Sequence, residues 1–309
     1  MMGKSNLARV LNKGHFAVTA EISPPHNAEF DTVRTSIHLI KGYVDAFNVP
    51  DGQAAVVAMA SWGVCILGMQ EGVDPVVHMT CRDRNRIALQ MDILAASALG
   101  IHNILCLSGD AIHLGSHPKA KPVFDLDSVH FIGMVKRLRD EKQFDNGDRI
   151  VGAAPGFFIG AAINPFARSS EQESATKRLE DKVSAGADFI QTQPVYNVEA
   201  FAKWMEAVRQ QGLHKQAKIL AGITPLPSMA AAKYMKTKTL GTDIPGKTVE
   251  RLKNVRNKEE AAEEGVKIAV ETISQLKQIE GVAGVHIMAL QREELIPRIC
   301  TAAGLHPRP

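Results

Sequence analysis

Eight short runs of strand-forming residues, each followed by a longer amphipathic stretch, recur along the chain, and this alternation restricts the available folds more than any other feature. The runs are Phe16–Ile22, Val44–Val49, Pro75–Thr80, Asn103–Ser108, Gly156–Ile163, Asp188–Gln193, Lys218–Ile223 and Gly284–Leu290. A strand that returns parallel to its predecessor needs a crossover, which a helix supplies, so the alternation predicts a parallel sheet. Eight is the strand number that closes a barrel. The expected architecture is therefore α/β, a single (β/α)8 TIM barrel spanning residues 1–309, with an open doubly wound sheet as the alternative.

The same pattern predicts helices at about Glu29–Lys41, Ala54–Met69, Arg84–Leu99, Leu126–Glu141, Ser170–Ala185, Val198–Gln211, Ser228–Met235, Lys258–Ile279 and Glu293–Ala303. Gly100 and Gly186 stand where a left-handed residue ends a helix before a new strand. The polar stretch Thr237–Asn257 reads as a long excursion within the barrel, and no linker rich in Pro, Gly or Ser divides the chain.

A 309-residue chain with 45% hydrophobic and 22% charged residues has material for a large core, which excludes collagen-like, disordered and small disulfide-stapled classes. Lys and Arg number 36 against 33 Asp and Glu, with no basic block, so a nucleic-acid surface is not expected and a small-molecule partner is. Apolar stretches such as Ala54–Ala60 are too short to span a membrane, and MMGKSNLARV lacks the apolar centre of a secretory signal. The expected location is the cytoplasm. Cys65, Cys81, Cys106 and Cys300 are widely spaced and read as buried small hydrophobes, and no metal site is expected. His113 and His117 are four apart, but Gly115 and Pro118 make the segment a loop.

In a barrel of this kind the reactive groups gather at the C-terminal ends of the strands. Glu21 ends an apolar run just before Pro24-Pro25, where desolvation is expected to raise its pKa toward the range of a general acid, against the plainer reading of a turn anchor. Asp110 follows Leu107-Ser108-Gly109 on the same rim. Gln193 can donate and accept through one amide, which suits the edge of a heteroaromatic ring. His78 reads as a cofactor contact, a metal ligand or an acid/base group, and no second ligand supports the metal. Arg82, Arg84 and Arg86 at a helix start either cradle an anion or form a salt-bridged, solvated face. No GxGxxG, no GxxxxGK[ST] and no rim lysine suited to a Schiff base is present.

Four of these features occur together in one family. Ala20-Glu21-Ile22-Ser23-Pro24-Pro25, His78-Met79-Thr80-Cys81, Leu107-Ser108-Gly109-Asp110 and Gln191-Thr192-Gln193 match, in order, the E-x-x-P-P, H-x-T-C, L-x-G-D and strand-6 motifs of methylenetetrahydrofolate reductases, which the chain resembles through nearly its whole length. Cys81-Arg82-Asp83-Arg84-Asn85-Arg86 and Gly160–Phe166 resemble most the acetogen-type branch, in which this polypeptide works with a separate metal-containing subunit.

The resemblance implies a flavin-dependent barrel of one-carbon metabolism that reduces 5,10-methylenetetrahydrofolate to 5-methyltetrahydrofolate. It implies Glu21 and Asp110 as catalytic residues. His78, Leu107, Ser108, Gly109, Asp110, Phe124, Gly160, Asn164 and Lys182 would contact a flavin, FAD by the resemblance or FMN. Gln193, Met235 and Arg292 would contact the folate or the reductant. That reductant is NAD(P)H or a partner electron-transfer subunit, within an oligomer or hetero-complex. Ser108 stands where the better-studied branch has an arginine, Gly160 where it has a tyrosine, Asn164 where it has a histidine and Met235 where it has an aromatic. These departures weaken the hold on the flavin's tail and put direct use of NAD(P)H in question. Two other readings compete: a catalytic subunit inactive alone, fed through a partner's metal centres, and an unrelated barrel lyase acting on a sugar phosphate, for which Gly222-Ile223-Thr224-Pro225 offers no phosphate loop.

Overall fold

The computed structural model describes residues 5–166, 169–238 and 242–309. Strands β1 (Ala17–Glu21), β2 (Ala46–Val49), β3 (Pro75–Thr80), β4 (Asn103–Leu107), β5 (Phe158–Ile163), β6 (Phe189–Pro194), β7 (Lys218–Ile223) and β8 (Val282–Ile287) pair in chain order. All pairs are parallel, and β8 closes on β1 with Ala17 opposite Gly284 and Thr19 opposite His286. That last pairing makes the sheet a barrel and excludes the open one. Every predicted run overlaps its strand because a barrel strand is covered on both faces, by helices outside and side chains inside, and so reads as a nearly continuous apolar run.

The helices are α1 (Asn6–Asn12), α2 (Asp31–Ile40), α3 (Ser61–Gln70), α4 (Arg86–Ala98), α5 (Ser128–Lys136), α6 (Ser169–Ala185), α7 (Val198–Gln210), the single turn α8 (Leu213–Gln216), α9 (Met229–Lys238), α10 (Gly246–Lys253), α11 (Lys258–Leu276) and α12 (Leu295–Ala302). Gly100 and Gly186 take φ of +93° and +121°, the left-handed stops expected after α4 and α6. No helix among the described residues is long and apolar enough to cross a membrane. All four cysteines are buried and unbridged.

Three local expectations need correction. The helix expected over Ala54–Met69 begins only at Ser61; Gln53–Ala55 is instead a tight turn in which Ala54 and Ala55 have φ of +56° and +55°. Contacts from the loop after β4 hold this turn, since Ser116 donates its N–H to Ala55 O at 3.2 Å and Asp110 Oδ2 accepts from Ala54 N at 2.8 Å. Tertiary contact has overridden the helical pattern. The stretch Thr237–Asn257, read as an excursion, contains α10, whose Arg251 bonds Glu264 and Glu271 of α11 at 2.6 Å each; residues 239–241 lie outside the described residues.

The third correction is α1, which the strand count did not anticipate. Ser5 caps it by accepting from Ala8 N at 2.9 Å. Its Leu7, Val10 and Leu11 pack against Val76, Leu105, Phe158, Phe189 and Leu220 at the N-terminal end of the barrel interior. Phe158 and Phe189 stack there with centroids 5.1 Å apart, and a Cβ on Gly160 would lie 2.2 Å from the Phe189 ring. This end is filled by an apolar plug, so the interior is left open towards the C-terminal ends.

Candidate active site

A cavity of about 330 Å³ opens at that C-terminal end. Glu21, His78, Leu107, Ser108, Gly109, Asp110 and Gln193, all singled out from sequence, line it together with Asp51, Arg82, Ala162, Gln191, His286 and Met288. Gly109 has φ of +96°, and a Cβ there would come within 2.8 Å of Arg82 Cβ and 3.1 Å of Thr80 Cβ, so this turn admits little else. Strand alternation explains the convergence: Thr19 and Glu21 are two apart on β1, as are His78 and Thr80 on β3 and Gln191 and Gln193 on β6, and each pair shares a face.

The cavity floor is formed by a hydrogen-bonded layer of buried polar side chains, with Asn48 and Thr19 beneath His78, Gln191 and His286. Asn48 Nδ2 donates to Gln191 Oε1 at 2.7 Å and to His78 Nε2 at 2.8 Å. Gln191 Nε2 donates back to Asn48 Oδ1 at 3.0 Å and to Thr19 Oγ1 at 3.1 Å. Thr19 Oγ1 lies 2.9 Å from His286 Nδ1, and His286 Nε2 is 3.9 Å from Glu21 Oε2. Asn48, Thr19 and His286 were not singled out in the sequence, and Gln191 entered only as part of the strand-6 motif. The available signal was a polar residue at an inward register position of an apolar strand, which identifies the face but not the partner.

With Asn48 Nδ2 against its Nε2, His78 is placed to accept as a neutral imidazole. Burial pushes the His78 pKa down to about 4, with the Glu21 carboxylate opposing that shift and His286 adding to it. An imidazole held neutral in the folded chain but titrating near 6.5 when unfolded contributes stability that is complete above about pH 6.5 and is lost as pH falls toward 4. The loss is on the order of 3 kcal/mol at the lower end. Urea unfolding across this window should therefore show a shallower acid slope in His78→Gln than in the parent; equal slopes would mean that His78 is not held neutral.

For Glu21 the structure corrects the expected rise. Burial raises its pKa, but the imidazole of His286, then that of His78 and the Gln53 side chain, outweigh burial and hold the carboxyl below its ordinary value. At neutral pH His78 carries no charge, so the main counterweight there is His286. Asp51 is bound by Thr80 N and Oγ1 at 2.9 and 3.0 Å and by Arg84 at 2.7 Å. Asp110 accepts from Ala54 N.

The other implied contacts do not line this cavity. Gly160 lies in the plug layer against Phe189. Asn164 Oδ1 accepts from Phe166 N at 2.9 Å, and Lys182 Nζ donates to Ala162 O at 2.6 Å, one residue behind the cavity wall. Burial, then Arg178, lowers the Lys182 pKa. Phe124, with φ of +42°, borders a separate open groove beside α5. Met235 is buried in a cluster with Tyr196, Leu226 and Ile244, and Arg292 pairs with Glu294 on the surface. The three arginines after β3 form the salt-bridged arrangement: Arg82 bonds Asp83, Arg84 bonds Asp51 and Asp92, and Arg86 bonds Asp125 and Asp145.

Fold and cavity together define a (β/α)8 barrel with an acid-bearing small-molecule pocket at the C-terminal rim. Comparison with known families is then specific: the methylenetetrahydrofolate reductase family model matches residues 6–304, and the chain belongs to that family. It is 28% identical over 245 residues to methylenetetrahydrofolate reductase 2 of Schizosaccharomyces pombe, covering 78% of this chain and 37% of that one. It is 26% identical over 237 residues to the 5,10-methylenetetrahydrofolate reductase of Pectobacterium carotovorum, covering 76% and 72%. The chain thus spans about a third of the fission yeast relatives' length and most of the bacterial one. Among solved structures, an uncharacterized Clostridium thermocellum protein described as binding two copies of 5-methyl-5,6,7,8-tetrahydrofolic acid has the same fold, with a TM-score of 0.66 at 15% identity over 97% of this chain and 98% of that one.

Proposed function

We propose that this chain reduces 5,10-methylenetetrahydrofolate to 5-methyltetrahydrofolate at the C-terminal rim, using a bound flavin. The observation that carries the reading is the buried Glu21–His286 pair on the cavity wall, in a chain of the methylenetetrahydrofolate reductase family. Opening the five-membered ring of the substrate requires a proton at the departing nitrogen. Asp51 accepts from Thr80 and Arg84 and Asp110 from Ala54 N, whereas Glu21, besides Gln53, faces an imidazole with which it can exchange a proton.

The cavity suits a flavin by its chemistry. Gly109 and Ala162 leave part of the wall free of bulky side chains, and His78, Ser108, Asp110 and Gln193 offer polar groups around it. A reduced flavin bound there supplies the hydride. The chain's own residues bind and orient: Gln193 can pair with a pterin edge, Asp110 places negative charge at the rim where it favours a cationic iminium, and Glu21 delivers the proton. Phe124, Asn164 and Lys182 as flavin contacts, and Arg292 as a contact for the folate, remain part of the proposal, whereas Gly160 in the plug layer and Met235 in its own cluster lie away from the cavity.

The electron source is better read as a partner subunit than as NAD(P)H alone. Met235 is buried away from the cavity, and among the described residues no Phe, Tyr or Trp lines the cavity to stack on a nicotinamide ring. On this reading the protein works in the cytoplasm in a hetero-complex. The test is a visible spectrum of the purified chain, chromatography of the acid-released chromophore to separate FAD from FMN, and anaerobic mixing of the reduced protein with methylenetetrahydrofolate. Saturable flavin reoxidation with formation of 5-methyltetrahydrofolate is expected. A loaded, reduced protein that the folate leaves reduced would refute the reading.

A further inference from the structure

We propose that His286 is a positioning residue that keeps Glu21 supplied with a proton, so that the deliverable proton belongs to the pair and not to the carboxyl alone. The inference rests on the reading above and deepens it. His286 Nε2 faces Glu21 Oε2 at 3.9 Å, the two side chains being 4% and 10% exposed. In so buried a wall an ionised carboxylate without a counter-charge would be costly, and the imidazole answers that need. Thr19, its register partner on β1, touches Nδ1 at 2.9 Å, while Gly222, its register partner on β7, brings no side chain.

The hydroxyl of Thr19 suits both charge states of the ring. It can donate to Nδ1 of a neutral imidazole, or accept from an imidazolium while turning its own O–H toward Val285 O, 3.5 Å away. A change of charge on His286 therefore leaves no buried group without a partner. The other charged or titratable groups acting on this pair are His78 from β3, neutral above about pH 4, and Asp51 at the end of β2, which acts on His78.

The step balances. His286 Nε2 passes its proton to Glu21, which gives it to the departing nitrogen; the ring C–N bond breaks with its electron pair on that nitrogen, and the methylene carbon would take the hydride that a bound reduced flavin supplies. Glu21 is then again a carboxylate, and His286 recovers a proton from solvent through the cavity. The folate gains one proton and one hydride in all.

The test uses the flavin-loaded chain and two readouts. The first is the carboxylic acid C=O stretch of Glu21 in pH-dependent difference infrared spectra, assigned by its loss in Glu21→Gln; this needs no folate. In His286→Asn the protonation midpoint of Glu21 should move up, because burial is then opposed only by His78 and Gln53. The second is the pH profile of flavin reoxidation by methylenetetrahydrofolate. Its deficit in His286→Asn should be small in acid and widen about tenfold per pH unit toward alkali, as one missing proton requires, with flavin reduction by dithionite unchanged. An unmoved midpoint, or a deficit constant with pH, would overturn the proposal. If His286→Asn does not fold, Thr19→Val should shift the same profile in the same direction and Thr19→Ser should restore it; identical profiles for the two would overturn it as well. If wild-type reduced flavin ignores the folate, the substrate assignment falls, and the infrared midpoint still decides whether the pair is coupled.

Discussion

Replacement of Glu21 by glutamine is expected to slow folate reduction by about 10²–10⁴-fold, the usual effect of losing a general acid, while leaving the chain folded and its flavin reducible. The amide fills the same volume at the end of β1 and keeps a hydrogen-bonding group toward His286 and Gln53, so packing is retained. What it lacks is a proton to release. Flavin reduction needs no donor at that position, whereas opening the folate ring does, so the two half-reactions should separate in stopped-flow measurements. Glu29→Gln should be silent, since Glu29 is exposed in the loop before α2. Equal slowing of both half-reactions in Glu21→Gln, or of neither, would leave Glu21 only a structural role.

A second large effect is expected far from the cavity, at the N-terminal end of the barrel. Asp45, 2% exposed, precedes β2 and accepts from Val18 N at 2.8 Å on β1. It also holds Arg308 through two bonds, at 2.5 and 3.1 Å. Arg308 in turn donates to Phe16 O at 2.8 Å and Leu305 O at 2.7 Å, tying the segment after α12 to the first two strands. Asp45→Ala would leave a guanidinium that is 11% exposed without its carboxylate and strip an acceptor from the Val18 N–H. Breaking one partner of a buried pair costs about 3–5 kcal/mol, and urea unfolding at neutral pH should show a loss of that size. A loss below about 1 kcal/mol would place this pair among surface ion pairs in its contribution.

How far the sequence reaches differs between these two places. Glu21, His78, Asp110 and Gln193 could be found because each lies at or beside the end of a strand-like run, and the end of such a strand is visible locally as a continuous apolar run meeting a polar or turn residue. Barrel closure then brings those ends into one ring whatever the loops between them do. The Asp45–Arg308 tie has no such local mark: the two residues are 263 positions apart, and an aspartate before a strand or an arginine near Pro309 is ordinary in isolation.

The same distinction runs through the site and the turns around it. The sequence by itself determined eight parallel strands, the rim on which chemistry gathers and the motif residues of the family, because short continuous apolar runs and strand-end polarity are properties of neighbouring residues. Only the tertiary structure decided that α1 plugs the opposite end, that Gln53–Ala55 is a left-handed turn held by Asp110 and Ser116, and that Glu21 is drawn below its ordinary pKa instead of above it. In the last case local context argued from the apolar strand alone and so saw only desolvation. The opposing imidazole arrives from β8, and its anchoring bond to Thr19 joins residues 267 positions apart, so the charge state of the site depends on a contact that exists only once the barrel has closed.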